Sequence, residues 1–187
     1  MALEAQAISE PKWEFLKGVF LSNSMRDSIT TRRGRRVYTA EPTDKQRSDL
    51  GKVLRSELRR IAAGYFFGVV REEEHVQNIS ELAGRVSEAC KPLLNGGCIC
   101  FGIAQKALNS YLKYLWCANL IPTPPHCPFD DIIIRKLELS PTCERQWTKA
   151  DESAYRAWVS AAKLAAMGKS LAEWELYEWA TSADSPF

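Results

Sequence analysis

Apolar residues recur at helical spacing along most of this chain, and no alternating strand pattern lasts beyond a few residues. That rhythm restricts the fold to packed helices. Ser9, with Pro11 in the first turn, opens a helix carrying Trp13, Leu16, Val19 and Phe20 on one side. Thr43 caps a long helix through about Phe67, with Leu50, Leu54, Leu58 and Ile61 on its buried face. Asn78 with Glu81 three residues on reads as a capping box for a helix ending near Pro92, and Asn95-Gly96-Gly97 is a stop. Leu108, Leu112, Leu115 and Trp116 mark the next buried face, and Asp130 caps Ile132, Ile133, Ile134 and Leu137. Thr148 with Asp151, and Ser170 with Glu173, open two late helices. Residues 22 to 42 lose the period and read as a loop or small hairpin, and Arg71 to Glu74 read as a break. The expectation is an all-α fold of about seven helices, one domain over 1–187 or two closely packed lobes.

One stretch departs from the rhythm. Pro122, Pro124, Pro125 and Pro128 stiffen and extend the chain after the helix that Lys106 opens. A helix from about residue 104 to 119 is about 24 Å long at about 1.5 Å per residue. The ten or so residues after it span about 33 Å when extended. The chain therefore has the reach to run back along that helix and set Asp130 beside Lys106. An amine and a carboxylate placed at two helix starts and joined this way suit one site. Attack on carbon requires the free amine, and a carboxylate fixed by its capping role suits stabilisation of a cationic transition state. Asp131 adjoins Asp130, but Asp130 is the residue directly after Pro128-Phe129.

Composition narrows the partners. With 187 residues and 45% apolar content, the chain buries a substantial core. A net charge of +2 excludes a global polycation, so contact with nucleic acid requires a local patch. Arg32, Arg33, Arg35 and Arg36 around Gly34 offer one, as a phosphate-contact arm or as an ordinary solvated loop. No apolar run approaches the ~18 residues of a membrane span, and no leader pattern is visible, which points to the cytoplasm. Cys90, Cys98, Cys100, Cys117, Cys127 and Cys143 form no Cys-x-x-Cys pair, so they read as reduced structural thiols and no metal site is expected.

The run Phe101-Gly102-Ile103-Ala104-Gln105-Lys106, followed by a helix and then Pro128-Phe129-Asp130, resembles the helix-hairpin-helix DNA glycosylases. Within that superfamily it is nearest the branch that excises oxidised guanine and nicks the strand. The similarity covers residues 100 to 137, with the helix-hairpin-helix element at about 86–118. It implies that Lys106 is the nucleophile and Asp130 the capping catalytic aspartate. It also implies that Gly102 and Ala104, at the two hairpin-glycine positions, and Gln105 face a DNA phosphate. Ala104 departs from the second glycine, and Cys100-Phe101 from the usual Leu-Pro. The implied protein is a monomer acting on double-stranded DNA that carries a damaged or modified base. It would flip that base out and cleave its N-glycosidic bond through a lysine Schiff base, without cofactor or metal. The alternative is a non-catalytic helical module that binds nucleic acid or a protein. His126, Phe129, Trp116 and Trp147 are candidates for an aromatic base pocket, although Trp116, at helical spacing, is assigned to the core.

Overall fold

A computed structural model describes residues 10–29 and 37–181 of the chain. Among them are seven α-helices and no strand, with one isolated antiparallel bridge between Tyr38 and Leu94. The helices are α1 (Glu10–Ile29), α2 (Asp44–Ala62), α3 (Glu72–Cys90), α4 (Phe101–Cys117), α5 (Asp131–Ile134), α6 (Glu152–Ala165) and α7 (Leu171–Ala180). The all-α expectation holds. The arginine quartet at 32, 33, 35 and 36 and the cap at Ser9 lie outside the described residues.

Three expected starts are realised, at Thr43, Asp130 and Ser170. Thr43 and Gln46 close a reciprocal capping box on α2, as do Ser170 and Glu173 on α7. Three boundaries differ, each for a physical reason. The first helix continues to Ile29 because its buried face passes from Leu21 to Ser24 and Ser28, all three fully buried. The two serine hydroxyls donate back to the carbonyls of Leu21 and Ser24, so small polar residues hold positions at which an apolar count registers nothing. The third helix begins at Glu72. Three glutamates in its first turn suit the positive helix end, and Glu73 and Glu72 reach across to Arg156 and Lys163 of α6. Asn78 is therefore interior to α3, where its amide donates to the Tyr65 hydroxyl. The sixth helix is capped by Asp151, which accepts from the Ala154 N–H, three residues later than the Thr148 reading.

At the centre stands α4. It packs most extensively against α1 and also meets α2, α3 and α6. Every residue from Gly102 to Leu112 is buried. The Leu50, Leu54, Leu58 and Ile61 face of α2 and the Leu108, Leu112 and Leu115 face of α4 join one core, with Trp116 packed half-buried at its edge. None of the helices among the described residues is long and apolar enough to cross a membrane.

Candidate active site

The helix α4 starts at Phe101, so Lys106 falls in its second turn and Gly102 in its first. The expected hairpin positions Gly102 and Ala104 are thus already helical, and the left-handed glycines of this region are Gly96 and Gly97 (φ 69° and 72°), in the turns between α3 and α4. Gly102 serves packing. Its N–H donates to the Ala150 carbonyl at 3.0 Å, and a Cβ built there would stand 1.7 Å from the Trp147 carbonyl oxygen. Ala104 is fully buried against the core. Both Gly102 and Ala104 are therefore buried away from any phosphate in this conformation.

Gln105 has a different task. Its amide Nε2 donates to the Phe129 carbonyl at 2.7 Å, and its Oε1 accepts from the Phe129 N–H at 3.2 Å. One turn on, Asn109 Nδ2 donates to the Cys127 carbonyl at 2.8 Å and approaches Gln105 Oε1 and the Tyr155 hydroxyl, each at 3.2 Å. Proline-rich backbone has few N–H groups to offer and cannot form a ladder of its own. Two amide side chains at i and i+4 on α4 therefore satisfy the buried polar backbone of the return segment and clamp it to the helix.

The clamp places Asp130 one residue beyond Phe129. Lys106 Nζ donates to Asp130 Oδ2 at 2.6 Å, while Asp130 Oδ1 accepts from the N–H groups of Ile132 and Ile133 at 3.0 and 3.1 Å. The two side chains are 10% and 19% exposed, so the pair is largely buried yet still meets solvent. Burial pushes the Asp130 carboxyl up. The Lys106 ammonium and the two backbone N–H groups outweigh it, so the group stays below its ordinary value and ionised. Asp131 is exposed and makes no part of this arrangement.

Lys106 and Asp130 line a cleft of about 380 Å³ with Ser110, Lys113, Tyr114, Cys117, Pro128, Asp27, Glu175, Leu176 and Trp179. That volume is at the small end of the range for ligand pockets, enough for one planar ring system. A second ion pair stands in the same cleft. Lys113 Nζ donates to Glu175 Oε1 at 2.9 Å and lies 2.7 Å from Oε2 without the alignment of a hydrogen bond. The contact to Oε2 is one of charge. Burial pushes the Glu175 carboxyl up, against the pull of Lys113 and Lys106. The Lys113 ammonium lies 5.0 Å from the centroid of the Trp179 ring.

The aromatic residues singled out as a pocket lie elsewhere. Phe129 is core, and His126 and Trp147 are buried away from this cleft. Its walls come from Tyr114 and Trp179, with Lys113 and Glu175. These four escaped the sequence reading, although Lys113 follows Lys106 by seven residues, two turns on one helix face. Trp179 follows Glu175 by four on α7, which signals a shared face. Set against family models, curated proteins and solved structures, the chain gives no match.

Proposed function

We propose that this protein is a DNA glycosylase with an accompanying lyase activity. The observation that carries the reading is the Lys106–Asp130 pair, 2.6 Å apart and partly buried in a cleft large enough for one base. A flipped nucleotide would place its C1′ at the mouth where this pair meets solvent. As the C1′–N bond lengthens, the fixed Asp130 charge stabilises the cationic sugar. Asp130 Oδ2 is also aligned to relay a Lys106 proton to the departing base, so that the freed amine forms the N–C1′ bond as the bond to the base breaks and the carboxylate is left ionised. Ring opening gives a Schiff base, and loss of a C2′ proton then expels the 3′ phosphate. None of these steps requires a metal or cofactor.

A second reading has its own support. Phe67, Val69, Leu164 and Met167 are large apolar residues exposed by 80% or more. Such residues suit a module that docks a protein partner without chemistry. Borohydride trapping separates the two. Incubated with duplexes carrying an abasic site or a panel of modified bases, the wild type becomes covalently linked to DNA and Lys106→Gln does not. A wild type that never cross-links on any of these duplexes removes the Schiff-base reading.

A further inference from the structure

The cleft holds more charge than the proposed chemistry uses. Lys106 and Asp130 suffice for attack and charge stabilisation, yet Lys113 and Glu175 stand two helical turns further along α4, about 10 Å on the helix axis. An ion pair this buried, with Glu175 2% exposed and Lys113 17%, is costly to desolvate and seldom retained for stability alone. Its free valences are specific. Glu175 Oε2 has no aligned donor despite its burial. The Lys113 ammonium has three donors, of which Glu175 Oε1 engages one in an aligned bond. One open acceptor therefore sits beside open donors, with the Trp179 ring next to them.

We infer that Lys113 and Glu175 read the Watson–Crick edge of the extruded base and select an edge that carries a ring N–H beside a carbonyl. This rests on the glycosylase reading of the same cleft. The N–H of such an edge donates to Glu175 Oε2, and its carbonyl accepts from Lys113 Nζ. With the sugar at Lys106, the edge points along α4 toward this pair. Hypoxanthine and uracil have such an edge. Adenine and cytosine present an amino group beside an unprotonated ring nitrogen. They would aim the amino donor at the ammonium and a lone pair at the carboxylate, leaving buried groups mismatched. Trp179, whose ring lies under the Lys113 ammonium, borders the same cleft.

Deoxyinosine and deoxyadenosine differ only along that edge, so their binding to the full-length protein, followed by tryptophan fluorescence or NMR shifts, isolates the claim. Wild type should prefer deoxyinosine over deoxyadenosine by at least about fivefold, the lower end for one good bidentate contact. Deoxyuridine should likewise exceed deoxycytidine. Glu175→Gln places a donor beside an acceptor, the pairing that suits adenine, and should bring the ratio near one. Lys113→Met should do the same from the other side, and it supplies the comparison if Glu175→Gln does not fold. A wild type that binds both purine nucleosides equally, or neither, overturns the inference, as does an unchanged ratio in a folded variant. Trapping on an abasic duplex needs no base and runs alongside. Trapping without a nucleoside preference sinks the base-reading role and spares the glycosylase. Preference without trapping does the reverse.

Discussion

The carboxylate of Asp130 divides its two oxygens between two tasks. Oδ1 caps α5 through the N–H groups of Ile132 and Ile133, and Oδ2 receives the Lys106 ammonium. The same division makes capping and charge experimentally separable. Asn at 130 keeps its one oxygen for the cap and so turns its amide donor toward the Lys106 ammonium. Asp130→Asn should therefore lose about 1.5–3 kcal/mol, the worth of a hydrogen bond to a charged group. Asp130→Ala should lose about 1 kcal/mol more, because the cap goes as well. Activity should fall by about two or more orders of magnitude in both. Asp131→Asn, at an exposed position, should match wild type in melting and in turnover. If Asp131→Asn is the inactive variant, the assignment of the pair is wrong.

Much of this was legible in the sequence, and the parts that were not share a cause. The reach of the return segment, the cap at Thr43 and the room for Lys106 to meet Asp130 follow from chain dimensions and local backbone chemistry. The readings that missed required tertiary information. Ser24 and Ser28 occupy a buried face as small polar groups that bond within their own helix. Glu72 to Glu74, read as a break, open a helix whose charges are partnered by Arg156 and Lys163 more than 80 residues away. Gly102 resembles a turn glycine in sequence, yet what requires it is the Trp147 carbonyl, 45 residues downstream. Glu175 and Trp179 reach the site from the last helix, and no local pattern announces that docking.

Gln105 provides a test of the clamp. Truncating it to Ala leaves both the N–H and the carbonyl of Phe129 buried without their side-chain partner. Each unsatisfied group costs about 1–3 kcal/mol, so Gln105→Ala should lower the urea midpoint markedly. It should also depress activity by about a hundredfold, because a shift of about 1 Å between Asp130 and Lys106 suffices for that. Were Gln105 a phosphate contact instead, the variant would melt like wild type and show only a weaker, less salt-dependent grip on DNA.

Gly102 separates packing from phosphate binding in the same way. Its would-be Cβ meets backbone of the 147–150 segment, and backbone cannot swing aside as a side chain does. Gly102→Ala should cost about 1–3 kcal/mol or more as that segment is displaced. Gly84 is the control. It sits in the interior of α3 with nothing within 4 Å of its Cβ position, so Gly84→Ala should stabilise the fold by about 0.5–1 kcal/mol. Equal melting of the two variants would contradict the packing assigned to Gly102.

The last prediction concerns acid. His75 and His126, the two histidines of the chain, are buried with ring centroids 4.8 Å apart. Tyr65 and Tyr155 each share a hydrogen bond with one Nδ1, and neither Nε2 has a hydrogen-bond partner. Burial drives both imidazoles toward the neutral form. The nearby Lys163 and Arg156 cations add to the effect at His126, which falls to about 3, and His126 itself adds to it at His75. A histidine whose folded value lies below its unfolded value of 6.5 stabilises the fold fully above 6.5 and loses that contribution as pH falls toward the folded value. Between pH 6.5 and about 4 the unfolded chain binds the extra protons, and stability should drop by up to about 1.4 kcal/mol per pH unit for each histidine. Glu175 acts with the opposite sign, since its raised carboxyl takes up a proton more readily in the folded state as pH falls. Asp130, held below 3.8, contributes its own loss only beneath this window. Urea midpoints at pH 7, 6 and 5 should therefore decline steadily. His126→Asn keeps a group able to bond the Tyr155 hydroxyl and removes one titration, so it should cut the slope by about half. A wild-type midpoint that stays level from pH 7 to 5 would mean that the two imidazoles are not neutral in the folded protein.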